Sequence, residues 1–339
     1  MRLEKKVLAF DAGGGSTRIS KIGFDGSRFT LEQIARFPNG PVRAGGNLYW
    51  DILGIWRDLL DGLRQAVCED SEIASLGIDT WGNDFVLLDR KGCMLENPYT
   101  HRDSRTTGLV GEVGRLIGGW DLYSRNGIQL NRMNTLYQLF SISRQRPYIL
   151  DIADKFLFLA DLLAYYLTGE MKNEYTMATI SQLYSYSMAG WDHELMELLG
   201  IPARIFCPVI RPGEIIGSIY GKVCREAGIP PLRLTAVASH DTGSAVAAVP
   251  SEEEYPLYIS SGTWSIVGTE TDAPMINKES YDLNFANEGG ANGRIRLLKN
   301  VMGLWIIQEI RRNLAIRGMQ YTYGDLTRLA EEAEPFAAM

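Results

Sequence analysis

The chain has 339 residues, of which 45% are hydrophobic and 22% are charged, a balance that is typical of globular proteins with room for two domains. Its formal net charge of -7 and isoelectric point near 5.2 argue against nucleic acid or an anionic membrane as partner, although a local site could bind an anion. The four cysteines lie far apart without a CxxC pair, which disfavours a disulfide framework or metal cluster and favours a cytoplasmic protein with reduced thiols.

The N-terminal third of the chain predicts an α/β unit with a mixed sheet. Short apolar runs that alternate or end in a carboxylate indicate strands at residues 6–11, 17–24, 28–37 and 73–79. Asp25-Gly26 is a hairpin signal between the second and third of these strands. Apolar residues recur at helical spacing from Ile52 to Val67, and residues 85–92 suggest another hairpin.

The middle of the chain, from about residue 107 to residue 200, is mostly helical in pattern. Gly169 is expected to end one of these helices. The apolar stretch 156–167 is too short to span a bilayer and predicts a buried helix. A strand is expected at 234–239, followed by a helix from about Ser244.

A strand–glycine–strand pattern like the opening one recurs at 257–268 and suggests an internal duplication. We therefore predict a first domain over residues 1–244 and a second domain over residues 245–339. A last helix is expected at 301–312, before a short acidic segment.

The strongest local motif is Asp-Ala-Gly-Gly-Gly-Ser-Thr-Arg at residues 11–18. Glycines let backbone N–H groups approach phosphate oxygens, Ser16 and Thr17 add hydroxyl donors, and the carboxylate of Asp11 can orient Mg²⁺ through its water shell. A Walker loop would need Gly-Lys-Ser/Thr, and a dinucleotide fingerprint would need a helix after the glycines. An ordinary glycine-rich turn is the alternative, but the hairpin that follows favours a phosphate loop.

Two further segments place polar groups after predicted strands. In Ser239–Gly243, Asp241 follows a strand and precedes a helix, which suits a general base in phosphoryl transfer; a helix N-cap is the alternative. Residues 78–85 combine Gly82, Trp81 and polar side chains, which can bind a sugar or form a hairpin corner. Residues 101–106 carry charges of both signs, and a surface ion-pair network is their simpler interpretation.

Hydrolase and zinc chemistry fit the sequence poorly. No Gly-x-Ser-x-Gly elbow is present, and the chain has only three histidines. No cluster of His, Cys and carboxylate residues has the spacing of zinc ligands.

These motifs resemble those of the FGGY carbohydrate kinases of the actin/hexokinase superfamily, and in particular their rhamnulokinase branch. The resemblance runs in order and at similar spacing from about residue 7 to residue 312. It is carried by Asp11–Arg18, Ile78–Asp89, Arg102–Thr106, Asn134–Leu139, Ala238–Thr242, Ser260–Ser265, Asn287–Gly290 and Leu298–Trp305.

The resemblance implies a two-domain α/β fold of the actin/hexokinase (ribonuclease H-like) type. It implies transfer of a phosphoryl group from ATP to L-rhamnulose, with Asp241 as catalytic base and Asp11 helping to hold Mg²⁺. The residues implied at the ketose are Gly82, His240, Thr242 and Asn300. Those implied at ATP are Gly14, Gly15, Ser16, Thr17, Arg18, Thr263 and Gln308.

The sequence departs from the family pattern in two places. Residues 14–17 read Gly-Gly-Ser-Thr where rhamnulokinases tend to have Ala-Ser-Ser-Gly, so individual ATP contacts are expected to differ. Family members also continue past residue 339 into a glycine-rich loop that holds the adenosine. The second domain is therefore expected to be incomplete, with the chain either a fragment or impaired in nucleotide binding.

Three alternatives stay open from the sequence. The first is another FGGY ketose or polyol kinase, for fuculose or xylulose, and residues 80–84 favour rhamnulose over these. The second is a non-catalytic relative that binds sugar or nucleotide. The third is an actin-like filament protein that shares only the fold. The oligomeric state cannot be predicted from the sequence.

Overall fold

The computed structural model of the protein describes residues 5–69, 72–262 and 264–335. The strands are β1 Lys5–Ala12, β2 Ser16–Phe24, β3 Phe29–Pro38, β4 Pro41–Ala44, β5 Asn47–Trp50, β6 Ile73–Thr80, β7 Phe85–Leu88, β8 Lys155–Phe158, β9 Asn173–Glu174, β10 Tyr184–Ser185, β11 Gly190–Trp191, β12 Val209–Ile210, β13 Ile215–Ser218, β14 Arg233–Thr235, β15 Tyr258–Ser261, β16 Trp264–Thr271, β17 Ala286–Gly289 and β18 Ile295–Met302.

The helices between these strands vary from one turn to five. They are α1 Ile52–Glu69, α2 Leu109–Ile117, α3 Gly119–Asn126, α4 Thr135–Gln145, α5 Pro147–Ile152, α6 Leu159–Thr168, α7 Tyr175–Ile180, α8 His193–Leu198, α9 Gly221–Ala227, α10 Asp241–Ala247, α11 Lys278–Asp282, α12 Trp305–Ile316 and α13 Tyr323–Glu332. None of the helices that the structure describes combines the length and apolar character that a membrane crossing requires.

A six-stranded mixed sheet forms the centre of the larger core, in the order β13–β14–β6–β1–β2–β3. β1 pairs antiparallel with β2 and parallel with β6, so that Asp11 lies between Arg18 and Asp79 in the register. Leu59 and Leu63 of α1 are fully buried in the core beside this sheet. Because β1 and β6 run in the same direction, their carboxyl ends deliver both aspartates to one edge of the sheet.

A smaller antiparallel sheet follows, in the order β15–β16–β18–β17. Its core is a cluster of a few apolar residues that includes Ile266 and Leu298. Hydrogen bonds join this sheet to α7 and to the turn after β10. The amide of Gly289 donates to Oγ1 of Thr179 (2.8 Å), and the hydroxyl of Tyr186 donates to the carbonyl of Asn287 (2.8 Å). These contacts hold the two sheets next to each other.

The structure confirms the elements that show a clear local period. β1, β2, β3 and β6 match the expected strands, and α1 matches the expected helix. The middle of the chain is largely helical, as predicted. Gly169 ends α6 with φ 77°, in the left-handed region that glycine adopts at low cost.

The predicted helix over 156–167 is wrong for its first three residues. β8 covers Lys155–Phe158 and pairs antiparallel with β7, and α6 begins only at Leu159. The predicted 85–92 hairpin is confirmed as a turn with a short returning arm: the amide of Asp89 donates to the carbonyl of Cys93 (2.9 Å), the amide of Leu95 donates to the carbonyl of Leu87 (2.9 Å), and Leu88 forms an antiparallel bridge with Met94. The main partner of β7 is nevertheless β8. A pairing between strands some 70 residues apart leaves no local sequence pattern.

Three other expected boundaries also differ from the structure. The strand expected at 234–239 is only β14, Arg233–Thr235, and the helix after it begins at Asp241 rather than at Ser244. The helix expected at 301–312 is shifted, because Val301 and Met302 still pair with β16 and α12 begins at Trp305. The predicted domain boundary at 244/245 falls inside α10 and stays a prediction.

Sequence reasoning missed the hairpin of β4 and β5. Its turn is Gly45-Gly46, with φ 56° and φ 87°. A Gly-Gly pair between two short strand-like runs is a known signal for a two-residue hairpin, so this element could have been predicted.

Candidate active site

A cavity of about 810 Å³ opens at the edge of the six-stranded sheet, where the carboxyl ends of β1 and β6 face β18. Most of the residues that the sequence singled out line it together. They are Asp11, Gly14, Gly15, Arg18, Gly82, His240, Asp241, Thr242, Asn300 and Gln308. Residues from five separate segments of the chain therefore meet in one cleft.

The glycine-rich loop forms a tight turn between β1 and β2. The amide of Gly13 donates to the carbonyl of Ser16 (3.0 Å), and Nδ2 of Asn39 donates to the carbonyl of Gly13 (2.8 Å). A Cβ atom on Gly15 would have no protein atom within 4 Å, so the space above the turn is open to a ligand. The loop can therefore bring backbone amides against a phosphate group.

Not every residue of the motif reaches the cleft. The hydroxyl of Thr17 is fully buried and donates to Oδ2 of Asp58 (3.3 Å), so the expectation of a hydroxyl donor to phosphate at this position is wrong. Oγ of Ser16 accepts from Nε of Arg36 (3.2 Å) and does not line the cleft. Thr263 lies outside the described residues.

Three carboxylates influence one another at the base of the cleft. Burial raises the pKa of Asp11, Arg18 at 2.9 Å opposes this, and the charge of Asp241 adds to it. Burial, together with the charges of Asp11 and Asp241, raises the pKa of Asp79 well above its ordinary value. A cation is the group that would relieve this crowding of negative charge.

The donor set fits a magnesium ion that is bound partly by its substrate. Within the described residues, no group of three or more His, Cys, Asp or Glu side chains could hold a metal ion unaided. Mg²⁺ usually takes one or two protein carboxylates and completes its shell with water and substrate phosphates. Asp11 beside the glycine-rich loop offers such a partial site.

Residues Ser239–Thr242, which we call the Asp241 loop, are held by backbone hydrogen bonds to two other elements. The amide of Thr80 donates to the carbonyl of Ser239 (2.8 Å). The amide of Ser239 donates to Oε2 of Glu174 (3.2 Å), and the amide of His240 donates to Oγ1 of Thr176 (3.0 Å). The loop therefore has a fixed position against β6 and α7.

Asp241 is the first residue of α10 and is partly exposed to the cleft. Its Oδ1 accepts from the amide of Thr242 (2.6 Å) and lies 3.6 Å from Nε2 of His240. Among the residues that the structure describes, none forms a hydrogen bond with Oδ2 of Asp241. That oxygen can accept a proton from a ligand.

Gly82 lies against the Asp241 loop in a place with little room for a side chain. A Cβ atom there would clash with Cδ1 of Ile180 and would lie 3.1 Å from Nε2 of His240. The backbone of residue 82 therefore reaches the cleft directly.

One wall of the cleft is aromatic and is organised by a buried carboxylate. Oδ2 of Asp84 accepts from Nε1 of Trp50 (2.7 Å) and from Nε1 of Trp81 (2.8 Å), and it lies 3.0 Å from Nδ1 of His101. The two indole rings pack with centroids 4.0 Å apart. Trp50 was missed from the sequence because its partner lies beyond the following helix.

The charged segment at 101–106 is partly buried, because Asp103 is buried and Arg105 is half-buried while Arg102 is exposed. Arg105 lies over the ring of Tyr99 at 4.0 Å and donates to Oε1 of Gln138 (2.6 Å). Burial lowers the pKa of Arg105 to about 10, against the attraction of Asp84 and Asp103. These residues support the aromatic wall.

Sequence reasoning also missed a buried ion pair behind the Asp241 loop, between Arg296 and Glu288 (3.0 Å). Glu288 lies in a segment that carries the family resemblance, but its role was not predicted. Arg296 stands between apolar residues in β18, and a charged residue in such a run is a signal that could have found it.

The chain is similar to known proteins over most of its length. Residues 6–248 match the N-terminal domain of the FGGY family of carbohydrate kinases, and residues 257–338 match its C-terminal domain. The chain is 41% identical over 337 residues to a rhamnulokinase of Bacteroides thetaiotaomicron, covering 99% of the chain and 69% of that protein. It is 40% identical to a rhamnulokinase of Oceanobacillus iheyensis, covering 96% of the chain and 68% of that protein.

The fold is also that of solved sugar kinases. The structure of gluconate kinase from Lactobacillus acidophilus superposes with a TM-score of 0.82 at 18% identity, over 98% of this chain and 66% of that one. The chain thus spans about two thirds of the length of the proteins that it matches. Matches to both domains, which together cover most of its residues, show that the chain belongs to the FGGY family of carbohydrate kinases and has their two-domain α/β fold.

Proposed function

We propose that the chain transfers the γ-phosphoryl group of ATP to the primary hydroxyl of L-rhamnulose, giving L-rhamnulose 1-phosphate and ADP. The observation that carries this proposal is the position of Asp241. Asp241 lines the same cleft as Gly14 and Gly15 of the glycine-rich loop and as Gly82. The names of the relatives at about 40% identity support rhamnulose as the acceptor.

Asp241 acts in this proposal as the general base. The amide of Thr242 donates to Oδ1 and fixes the carboxylate at the start of α10. Oδ2 accepts the proton of the sugar hydroxyl as its oxygen attacks the γ-phosphorus, and the bond to the ADP oxygen breaks. Holding the hydroxyl and the phosphate in line supplies most of the remaining rate enhancement.

The ATP side of the cleft is built from the glycine-rich loop and α12. We propose that the amides of Gly14 and Gly15 and the guanidinium of Arg18 bind the phosphates. Gln308 of α12 contacts the nucleotide from the other side, and Ser16 and Thr263 stay predictions from the family resemblance. Asp11 would hold Mg²⁺, which would neutralise charge on the phosphates.

The ketose side is built from polar groups beside the aromatic wall. We propose that the backbone of Gly82 and the side chains of His240, Thr242 and Asn300 bind the sugar hydroxyls. Residues 1–244 then carry most of the sugar and phosphate contacts, and residues 245–339 contribute to nucleotide binding. A cytoplasmic location is part of the same proposal.

The test is ADP release by this 339-residue chain with Mg-ATP and a panel of L-rhamnulose, L-fuculose, D-xylulose and glycerol, combined with calorimetric binding of each acceptor. Release with L-rhamnulose alone is the expected result. Preference for another acceptor would keep the kinase reaction and overturn the substrate. Binding of L-rhamnulose without release on any acceptor would favour a sugar-binding relative without turnover.

A further inference from the structure

Arg296 connects the smaller sheet with the Asp241 loop. It lies on β18, is fully buried, and uses each of its nitrogens. Nε donates to the carbonyl of Gly289 (3.2 Å), Nη1 donates to Oγ1 of Thr242 (3.0 Å), and Nη2 lies 3.1 Å from Nδ1 of His240 and 3.0 Å from Oε2 of Glu288. The guanidinium therefore makes one contact to each of the two ketose-binding candidates, while its contacts to Gly289 and Glu288 hold it in the smaller sheet.

The same strand also reaches the cleft directly. Side chains two apart on a strand point to the same face, so Arg296 and Asn300 lie on one face of β18. Asn300 lines the cleft, while Arg296 lies behind His240 and Thr242. The strand that matches the C-terminal domain of the family therefore supports two residues that match the N-terminal domain.

The donor and acceptor roles in this cluster follow from the chemistry of arginine. A guanidinium only donates hydrogen bonds, so Nδ1 of His240 must be the acceptor in its contact with Nη2 of Arg296. The ring then carries its proton on Nε2, which lies 3.1 Å from Oγ1 of Thr242. Oγ1 of Thr242 accepts from Nη1 of Arg296 and from Nε2 of His240, and it also lies 3.3 Å from Nδ1. Because Nδ1 already accepts from Arg296 at 3.1 Å, the hydroxyl hydrogen of Thr242 is left for a ligand.

Glu288 competes for the same nitrogen, since its Oε2 lies 3.4 Å from Nδ1 of His240. Its burial acts to raise the pKa of Glu288, but the charge of Arg296 and the contact with His240 outweigh burial, and the pKa is lowered. The carboxylate is thus ionised and already paired with Arg296 at 3.0 Å. The contact of Nδ1 with Arg296 (3.1 Å) is shorter than its contact with Glu288 (3.4 Å). We therefore place the ring proton on Nε2.

We propose that Arg296, held by Glu288, is a positioning residue for the sugar: it keeps the proton of His240 on Nε2, where it is donated to Oγ1 of Thr242, and so leaves the hydroxyl hydrogen of Thr242 free to donate to an acceptor oxygen of the ketose. This proposal rests on the proposed function, because it specifies how the acceptor sugar of that reaction is recognised. This arrangement favours ligands that place a carbonyl or hydroxyl oxygen next to Thr242, and it disfavours deoxy analogues that lack this oxygen.

The experiment compares the intact chain with Arg296→Lys and Arg296→Met, and with Arg294→Met as matched control. Arg294 lies two residues earlier and pairs with the partly exposed Asp272 at 2.8 Å, away from the cleft. We expect Arg296→Lys to weaken L-rhamnulose binding in calorimetry by about tenfold, because the single ammonium group restores only one of the guanidinium's contacts. Arg296→Met should weaken it by more, because a thioether donates no hydrogen bond. ADP affinity should stay within about twofold, and Arg294→Met should bind both ligands normally.

A second measurement detects the position of the His240 ring proton directly, in the intact chain as well as in a variant. Long-range ¹H–¹⁵N spectra of the histidine rings, with His240 assigned by His240→Gln, report which nitrogen carries the proton. We expect Nδ1 of His240 to be unprotonated in the intact chain and to gain a proton in Arg296→Met, where Glu288 becomes its nearest partner.

A proton on Nδ1 in the intact chain would overturn the proposal, as would unchanged L-rhamnulose affinity in both Arg296 variants. An equal loss of ADP and ketose affinity would also overturn it, because that result indicates a general structural role. If the intact chain binds no L-rhamnulose, the proposed function fails, and the position of the ring proton still decides the role of Arg296.

Discussion

At the scale of single residues, His240 contacts several groups on the proposed ketose side of the cleft. Its Nε2 lies 3.6 Å from Oδ1 of Asp241 and would lie 3.1 Å from a Cβ atom on Gly82, while its Nδ1 faces Arg296. These contacts fix the ring without engaging the glycine-rich loop. The role of the residue is therefore expected to concern the sugar and not the nucleotide.

Replacing His240 by alanine is expected to weaken L-rhamnulose binding by about tenfold or more, because a hydrogen-bond donor is lost and Arg296 is left without one acceptor. ADP binding should change little. Calorimetry with each ligand measures both effects, and His193→Ala, at an exposed position, serves as control. Equal losses for sugar and nucleotide would indicate a structural histidine instead.

Residues that are neighbours in one motif at the end of a strand can be predicted from the sequence to share a site. Residues that come from distant segments cannot. His240, Asp241 and Thr242 are neighbours in one motif, so their common site follows from local order. Arg296 is 54 residues from Thr242 and belongs to another sheet, so no local pattern links them. Thr17 lies within the predicted motif, but the alternation of β2 turns its side chain into the core.

At the scale of elements, the start of α7 positions the Asp241 loop through a buried carboxylate. Oε2 of Glu174 accepts from the amides of Thr176 (2.9 Å), Met177 (3.2 Å) and Ser239 (3.2 Å). Burial raises the pKa of Glu174 to about 7, although these hydrogen bonds oppose the shift. The neighbouring Asp161 has its pKa raised by burial to about 8.

These raised pKa values predict that the free energy of unfolding falls as the pH rises. Above pH 4.5, the ordinary pKa of a glutamate, the unfolded chain has released a proton that Glu174 still holds in the folded state until pH 7 is passed. The contribution of Glu174 is thus fully present below pH 4.5 and lost above about pH 7. For Glu174, the loss between pH 5 and pH 8 is on the order of 2 kcal/mol.

Glu174→Gln is expected to reduce the fall in the free energy of unfolding with rising pH, because the amide does not titrate. Asp161, whose pKa is also raised, still contributes part of that fall. Urea unfolding at pH 5, 7 and 8 measures it, with the exposed Glu194→Gln as matched control. The same slope in Glu174→Gln as in the intact chain would contradict the assignment.

Elements with a strong local period can be predicted from this sequence, as α1 and β1 to β3 show. The pairing of β7 with β8 joins Phe85–Leu88 to Lys155–Phe158, and it converts residues that read as the start of a helix into a strand. Tertiary contacts of this kind decide short apolar segments, where helix and strand patterns look alike.

At the scale of the whole molecule, the cleft lies between the large sheet and the small one, and both contribute its lining residues. A ligand that contacts Gly82 on one side and Asn300 on the other would bind the folded chain and not the unfolded one. Binding of this kind stabilises the fold by mass action.

We therefore expect L-rhamnulose at about 100 times its dissociation constant to raise the unfolding midpoint by several degrees, corresponding to about 2.7 kcal/mol. Differential scanning calorimetry measures the shift, and glycerol at the same concentration is the control. An equal shift with both compounds would mean that the cleft does not recognise the ketose.

In the proposed reaction, Asp241 removes the proton of a sugar that is bound beside it. ADP release and calorimetric L-rhamnulose binding, measured on the intact chain and on Asp241→Asn, test this role. We predict that the variant binds L-rhamnulose within about threefold of the intact chain but loses turnover by at least about 100-fold, because the amide cannot accept the proton. Turnover at the rate of the intact chain would show that Asp241 is not the base.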